Sequence, residues 1–451
     1  MRTIEDHVQA LESGTITARA LIESCIERIE DTSGEGSRVF IRSYAAQARA
    51  MADATDLQRR ANRAPSRFAG IPLAVKDLFD IAGEPTPAGS VVLADAPPAR
   101  AHAPVVRRLL GMGFIPIGRA NMTEFAFSGL GLNPHHGTPS SPWDRASRRI
   151  PGGSSSGSGV AIADRMALAA LGTDTGGSCR IPAAFNGVVG YKPTARRVPI
   201  EGVLPLSPSL DSVGPLAPSV GCCAVVDAII ADGTPTPLDP IPLSGLRLAI
   251  PDNFGFDSID DTVAAAFDHA VAQISAAGAR IMRVKFAAFD EIPAVNAAGG
   301  FATAEAYAWH RALIAAKGPG YDPRVRTRIE RGGNQSAADY VDLLNARRRI
   351  TANFDASTRG YDALLLPTVP IVAPRIADLD AEEAYGRTNM LILRNCAVGN
   401  FLDRCAISLP CHRAGDAPVG LMLMGETMGD VRLFAIAAAV EAALAETTGL
   451  S

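Results

Sequence analysis

Apolar positions recur with helical spacing near the start of the chain. In TARALIESCIERI (17–29) the apolar side chains fall on one helical face, and Thr17 can cap the first turn. Further along, APVVRRLLGMG (103–113) precedes FIPIG (114–118), a helical pattern followed by a strand pattern, and VAIADRMALAALGTDT (160–175) repeats that order. We therefore predict an amphipathic surface helix at 17–29 and, from the alternation, an α/β sheet.

One apolar stretch carries a charge in its middle. FAGIPLAVKDLFDIAG is typical of a buried strand bounded by Gly70 and Gly83, yet it contains Lys76. From the strand pattern alone, an ion-paired lysine on a half-exposed strand is the more common explanation. A functional role for Lys76 needs support from elsewhere in the chain.

The second half of the sequence has fewer glycines and longer helical patterns. We predict helices over 261–278, 336–357 and 429–446, and a strand in YDALLLPTVPI. There is no internal repeat and no low-complexity tract long enough to act as a linker. The whole chain is thus expected to form α/β structure.

Composition and charge narrow the class of partner. The 451 residues are 47% hydrophobic and 20% charged, typical of a globular protein with a large core, and the net charge is −4. This balance gives no basic surface for nucleic acid or an anionic membrane, so we expect a small-molecule substrate. No apolar run long enough to cross a membrane and no signal-peptide core occur, which favours the cytoplasm.

The sequence contains no recognised motif for binding a metal or for redox chemistry. The seven cysteines are scattered and lack paired C-x-x-C spacing, so reduced, buried thiols are expected. His135, His136 and the scattered acids form no recognised ligand set. We predict neither a metal nor a cofactor.

The segment PGGSSSGSG (151–159) admits several explanations. It is too short for a linker, and it lacks the Gly-Lys-Ser/Thr of a phosphate loop. Gly153–Gly157 also matches G-x-S-x-G, which would make Ser155 the nucleophile of an α/β-hydrolase, with His412, late in the chain, as its base. That motif needs a strand immediately before the turn, and SRRIPG is a poor strand pattern. In a second small-residue loop, GTDTGGSCRIPA, Ser178 follows two glycines at the end of a predicted strand, where backbone N–H groups can converge into an oxyanion hole.

Together these segments resemble the amidase signature hydrolases. The matching stretches are GIPLAVKDLFD, NMTEFAFSGLGLNPHHGTP, PGGSSSGSG, GTDTGGSCRIPAAFNGVVGYKPT and SLDSVGPLA, in that order. The resemblance implies one large α/β domain, in which a central mixed β-sheet is covered by helices on both faces. Within it we expect an N-terminal helical region (1–64), a signature core (65–230) and a C-terminal part that completes the sheet and the substrate pocket (231–451).

The resemblance also implies a Ser-cis-Ser-Lys triad of Ser178, Ser154 and Lys76, with a cis peptide before Ser154. In this mechanism Ser178 attacks the amide carbonyl while Ser154 passes its proton to neutral Lys76. Keeping a lysine neutral at pH 7 costs roughly 4.6 kcal/mol, so burial must lower the pKa of Lys76. With both serine loops present, an ion-paired role for Lys76 becomes the less favoured interpretation. The match of Ser155 to the G-x-S-x-G motif is then regarded as a coincidence.

Further roles around the triad are also implied by the resemblance. The backbone N–H groups expected to hold the oxyanion belong to Thr175, Gly176, Gly177 and Ser178. Ser155 and Asp174 are expected to orient Ser154 and the oxyanion loop through hydrogen bonds, with ordinary turn and N-cap chemistry as an equal alternative. Arg180 is favoured as a structural residue over a substrate-binding one. Cys179 is expected to pack as a buried thiol.

The substrate is left more open by the sequence. The family includes the glutaminase component of glutamyl-tRNA amidotransferase, stand-alone amidases and allophanate hydrolase. Alignment on AISLP puts Leu393 near the position where the transamidating members carry an aspartate for the glutamine amino group; a slip would bring Arg394 or Asn395 there, and none is acidic. We expect an amidase that converts a small, apolar or aromatic amide into the acid and ammonia or amine. The alternatives are the glutaminase component of a glutamyl-tRNA amidotransferase and an allophanate-type hydrolase. A homodimer is possible.

Overall fold

The computed structural model describes residues 3–448, which fold around a single sheet of eleven strands. The strands are β1 (Phe40–Ser43), β2 (Pro72–Lys76), β3 (Ile115–Ala120), β4 (Ala169–Asp174), β5 (Val189–Lys192), β6 (Ser212–Ala217), β7 (Arg247–Pro251), β8 (Arg280–Val284), β9 (Ala363–Pro367), β10 (Ala406–Pro410) and β11 (Gly420–Met424). Their order across the sheet is β1-β3-β2-β4-β6-β5-β10-β11-β9-β7-β8. The sheet is mixed, because β2 runs parallel to β3 and β4 while β4 and β6 are antiparallel.

Fifteen α-helices flank the sheet within the described range. They are α1 (Ile4–Glu12), α2 (Ala18–Glu30), α3 (Gly36–Val39), α4 (Ala45–Arg60), α5 (Pro104–Gly111), α6 (Ser156–Ala163), α7 (Arg180–Asn186), α8 (Val220–Ile230), α9 (Asp261–Ala276), α10 (Ala287–Val295), α11 (Gly300–Lys317), α12 (Pro323–Glu330), α13 (Ala337–Thr358), α14 (Glu382–Phe401) and α15 (Asp430–Thr448). Short 3-10 helices occupy Glu124–Ala126, Arg145–Ser147, Gly318–Gly320, Arg331–Asn334 and Ile376–Leu379.

Both faces of the sheet are buried against helices. Along β9, Leu365 packs into one apolar cluster and its neighbours Leu364 and Leu366 pack into another, as the two-residue period of a strand requires. The first cluster includes α15 through Phe434, and the second includes α14 through Ile392. The predicted single α/β domain with a mixed sheet between helices is therefore confirmed.

Local predictions hold where the apolar period is clean. The helix predicted at 17–29 is α2, and Thr17 caps it by accepting a hydrogen bond from the Ala20 N–H. The predicted helices at 261–278, 336–357 and 429–446 correspond to α9, α13 and α15. The region 1–64, expected to be helical, also contributes the edge strand β1, which was not predicted.

Candidate active site

Lys76 is the last residue of β2 and is completely buried. Its Nζ lies 2.8 Å from Ser154 Oγ and 2.8 Å from Thr173 Oγ1, and it makes no ion pair with any residue in the described range. Burial lowers the pKa of Lys76 to about 8, although the nearby carboxylates of Asp174 and Asp211 oppose this change. The ion-paired lysine on a half-exposed strand is excluded.

The two aspartates next to Lys76 in sequence are turned to other partners. Asp77 pairs with Arg119, whose Nε lies 2.7 Å from its Oδ1, and it also accepts the Gly89 N–H. Asp80 accepts the hydroxyl of Thr86. The end of β2 can therefore present a lysine without an adjacent counter-ion.

Ser154 lies in a turn that only glycines can build. A Cβ on Gly153 would stand 2.6 Å from the Gly131 nitrogen, and a Cβ on Gly131 would stand 2.4 Å from the Gly152 carbonyl oxygen. The Gly153 N–H donates to Gly129 O at 2.7 Å. The Gly153–Ser154 peptide bond is cis in the structure.

Ser178 lies at the start of α7, in the loop that follows β4. It is 3% exposed, and its hydroxyl has no hydrogen-bond partner among the described residues. The Gly177 and Cys179 N–H groups donate to the two carboxylate oxygens of Asp174, at 2.8 and 3.1 Å. The N–H groups of Thr175, Gly176 and Ser178 have no acceptor within residues 3–448. Of the four predicted oxyanion donors, the Gly177 N–H is thus the one already committed to an internal acceptor.

A buried ion pair shapes this loop. Asp174 and Arg180 are both fully buried, with Arg180 Nη2 2.8 Å and Nε 3.0 Å from the carboxylate, and Asn400 Nδ2 donates to Asp174 at 2.9 Å. Burial alone would raise the pKa of Asp174, but Arg180 holds it well below its usual range. The rest of the Arg180 guanidinium contacts Cys396 O, Met422 Sδ and Asn400 Oδ1. Arg180 therefore has no donor left for a ligand.

A second acid supports the loop from the side of Thr175. Asp211 accepts the Thr175 hydroxyl at 2.5 Å and the N–H groups of Leu206 and Ser207 at 3.0 Å. Burial raises the pKa of Asp211 to about 6. Its role could have been suspected, because Asp211 belongs to the motif SLDSVGPLA.

Ser155 has no base beside it. Its hydroxyl donates to Thr173 O at 3.4 Å, and its N–H donates to Ser178 O at 3.3 Å. His412 lies against Gly187 and Val419. The G-x-S-x-G alternative therefore lacks its histidine, and Ser155 instead ties the two serine loops together.

The other polar groups near the site carry little chemistry of their own. Cys179 is buried and packs toward Gly214 O, and burial raises the pKa of its thiol. Within the described residues, no cluster of three or more His, Cys, Asp or Glu could hold a metal ion. No helix in the described part of the chain is long and apolar enough to cross a membrane.

One face of α14 runs along the two serine loops. A Cβ on Gly176 would meet Leu393 at 3.6 Å, and a Cβ on Gly129 would meet it at 3.1 Å, so the position aligned from AISLP does border the site. Arg394 instead contacts Asp257 O and Gly255 O, and Asn395 contacts Gly255 O. The apolar side chain of Leu393, rather than either neighbour, faces Gly129 and Gly176.

Arg328 on α12 is a group near this face that the sequence did not reveal. Its Nη1 donates to Phe127 O at 3.0 Å, and its guanidinium lies 5.6 Å from the Phe127 ring and 5.8 Å from the Tyr385 ring. Burial lowers the pKa of Arg328, and no carboxylate among the described residues forms an ion pair with it. Nothing in its own sequence context marks Arg328, because neighbouring arginines on α12 look the same.

Comparison with known proteins places the chain in a family. The family model described as Amidase matches residues 20–434. The chain is 36% identical over 452 residues to a 2-amino-5-chloromuconic acid deaminase from Comamonas testosteroni, covering 98% of this chain and 96% of that protein. It is 34% identical over 464 residues to a component of the glutamyl-tRNA(Gln) amidotransferase from Chloroflexus aggregans, covering 95% of this chain and 93% of that one.

Among solved structures, one described as an amidase superposes with a TM-score of 0.88 at 32% identity, covering 98% of this chain and all of the other. The match therefore extends over the whole fold and is not confined to the serine loops. The chain belongs to the amidase signature family, whose members are enzymes that hydrolyse C–N bonds.

Proposed function

We propose that the protein is an amidase that hydrolyses a small, carboxylate-bearing amide to the acid and ammonia through an acyl-enzyme on Ser178. The contact that carries the catalytic part is Lys76 Nζ at 2.8 Å from Ser154 Oγ, inside a buried site where the pKa of that lysine falls to about 8. A neutral lysine can accept a proton, and an ammonium cannot. The site thus contains a base strong enough to activate a serine.

In the proposed acylation step, Ser178 Oγ attacks the carbonyl carbon. Its proton passes to Ser154 Oγ while the Ser154 proton passes to Lys76 Nζ. The negative charge that develops on the carbonyl oxygen is held by the unengaged N–H groups of Thr175, Gly176 and Ser178. As the C–N bond breaks, the proton returns from Lys76 through Ser154 to the leaving nitrogen, which departs as ammonia.

Deacylation uses the same groups in reverse. A water molecule loses a proton through Ser154 to Lys76 and attacks the acyl-ester carbon. The oxyanion again binds the three N–H groups, and the proton returns to Ser178 Oγ as the ester bond breaks. The products are a free carboxylic acid and the original enzyme.

The substrate class is suggested by Arg328 together with the C-terminal part of the chain. Arg328 is partly buried and has no ion-pair partner among the described residues, so its guanidinium is suited to bind the carboxylate of a ligand. Arg328 is bonded to Phe127, two residues before Gly129, which binds the catalytic turn. The related Comamonas protein is named for action on an amino-substituted unsaturated acid, which also bears carboxylates. The apolar substrate expected from Leu393 alone is thereby refined to an acid with an apolar chain.

Leu393 argues against a glutaminase. An apolar side chain against Gly129 and Gly176 offers no charge for the ammonium of glutamine. An acid without a charged ammonium group is therefore favoured over glutamine as the substrate.

The substrate class is tested by ammonia release from monoamides of four- to six-carbon dicarboxylic acids, each compared with its neutral methyl ester and with glutamine. Arg328→Gln should lower kcat/KM on the acid amides by about 10- to 100-fold, mainly through KM, because it removes a charged hydrogen bond made to the ground state as well. Arg348→Gln, the same change at an exposed position on α13, is the control. Equal activity on acids and esters would refute the substrate class.

The catalytic assignment is tested separately by four proteins: wild type, Ser178→Ala, Lys76→Ala and Ser154→Ala. Ser178→Ala should abolish labelling by a fluorophosphonate, measured by mass spectrometry. Lys76→Ala should lower kcat/KM by about 10²- to 10⁴-fold, and adding Ser154→Ala should do little more, because the two act as one relay. An adduct on Ser155, or full activity in Lys76→Ala, would overturn the triad.

A further inference from the structure

The side-chain amide of Asn389 is hydrogen-bonded through its oxygen but, within the described part of the chain, not through its nitrogen. It lies on α14 and is completely buried. Its Oδ1 accepts two hydrogen bonds at 2.9 Å, from the Ser128 hydroxyl and from the Gly129 N–H. Its Nδ2 is buried and has no partner among the described residues.

The orientation of this amide follows from its partners. The Gly129 N–H can only donate, so the atom facing it must be the carbonyl oxygen of Asn389. The opposite atom is therefore the NH₂ group, which has two hydrogens to donate. Leaving such a group buried and unpaired costs free energy, and an acceptor on a bound ligand would remove that cost.

The position of Asn389 on α14 places it in the row that borders the active site. Residues spaced by four, seven and eleven share one helix face. Leu393 borders Gly176, Cys396 borders Gly177, and Asn400 bonds Asp174. Asn389 is the next member of this row, one turn beyond Leu393.

Asn389 and Arg328 hold the same short loop. Arg328 bonds Phe127 O, and Asn389 bonds the N–H of Gly129 two residues later. Resting on the proposed function, we propose that Asn389 determines substrate specificity by donating through Nδ2 to one oxygen of the substrate carboxylate whose other oxygen binds Arg328. The acyl chain between this subsite and Ser178 then runs along Leu393.

Asn389→Asp tests this assignment with little change of shape. The aspartate keeps an oxygen to accept from Ser128 and Gly129, but it replaces the donor by an acceptor that repels a carboxylate. The kcat/KM ratio of an acid monoamide to its methyl ester should fall by about 100-fold or more relative to wild type, since donation is lost and repulsion is added. Asn345→Asp, on the exposed face of α13, should leave that ratio unchanged.

A binding measurement separates this assignment from the proposed reaction. Succinate, glutarate and adipate are titrated by calorimetry into wild type, Asn389→Asp and Asn345→Asp, with the fold checked by circular dichroism. Weaker dicarboxylate binding in Asn389→Asp alone supports the subsite even if no tested amide is hydrolysed. Binding and acid-to-ester ratios that match wild type in a folded Asn389→Asp overturn it, as does the absence of dicarboxylate binding to wild type, whatever the amidase activity.

Discussion

Replacing Lys76 by methionine removes the proposed base and also a buried ionisable group, so it should lower activity and change how stability depends on pH. Methionine has a similar length and fits an apolar environment. It cannot donate to Ser154 or Thr173, so two hydrogen bonds are lost. Their loss does not depend on pH, whereas the cost of burying the lysine does.

The size of the pH-dependent part follows from the pKa of Lys76. Burial lowers it from 10.5 to about 8. At about 1.36 kcal/mol per pH unit, the charged lysine destabilises the folded protein by about 3.4 kcal/mol below pH 8. Because the folded protein releases its proton first as pH rises, this penalty shrinks to about 0.8 kcal/mol at pH 10 and vanishes above the unfolded-state pKa.

The assay compares free energies of unfolding of wild type and Lys76→Met at pH 7 and pH 10. The variant's stability relative to wild type should be about 2.5 kcal/mol more favourable at pH 7 than at pH 10. Lys285→Met, a change at an exposed lysine, should show no such difference between the two pH values. A difference for Lys76→Met that is equal at both pH values, or larger at pH 10, would refute the argument that burial makes Lys76 a base.

Three further outcomes are expected. In wild type, kcat/KM should rise with pH through about 8 and then level off as Lys76 becomes neutral; a flat profile from pH 6 to 10 in an ammonia-release assay would contradict this. Gly177→Ala should lower the melting temperature far more than Gly176→Ala. The φ of Gly177 is +127°, and a Cβ on Gly177 would stand 2.6 Å from Cys396 Cβ. Similar melting curves for the two variants would contradict this. Arg180→Met should destabilise the fold by roughly 3–5 kcal/mol in denaturant titrations by leaving Asp174 unpaired, and a wild-type midpoint would argue against that pairing.

The parts of the fold that the sequence predicted are those with a clean apolar period or a clear cap. α2 begins at its Thr17 cap, and β2 ends at the lysine that interrupts its apolar run. β1 was missed because FIRS is short and half polar, and its strand conformation depends on pairing with β3 at the edge of the sheet. Such a strand is specified by its neighbour in space, which no local pattern records.

The residues of the candidate site likewise differ in how far the sequence predicts them. Lys76, Ser154 and Ser178 stand in contiguous motifs, so they could be proposed as a group before their distances were known. Arg328 and Asn389 could not be proposed from the sequence, because neither stands in a recognisable motif. Arg328 is one of several arginines on α12 and Asn389 lies in a helix of mixed polarity, so only their contacts distinguish them. Substrate-binding residues are generally of this second kind, because their partner is absent from the chain.

Two arginines near the same loops, the buried Arg180 and the partly buried Arg328, show how contacts separate a structural role from a binding role. Arg180 saturates its donors on Asp174, Asn400, Cys396 O and Met422 Sδ, and the resulting ion pair fixes the Gly177 and Cys179 N–H groups. A substrate carboxylate there would have to displace Asp174 and leave that acid buried and unpaired. Arg328 contacts one carbonyl and two aromatic rings and forms no ion pair within the described residues, so a carboxylate arriving there would displace no acid. An arginine thus orders the loop after β4 in one place and, by the proposal above, binds the substrate in the other.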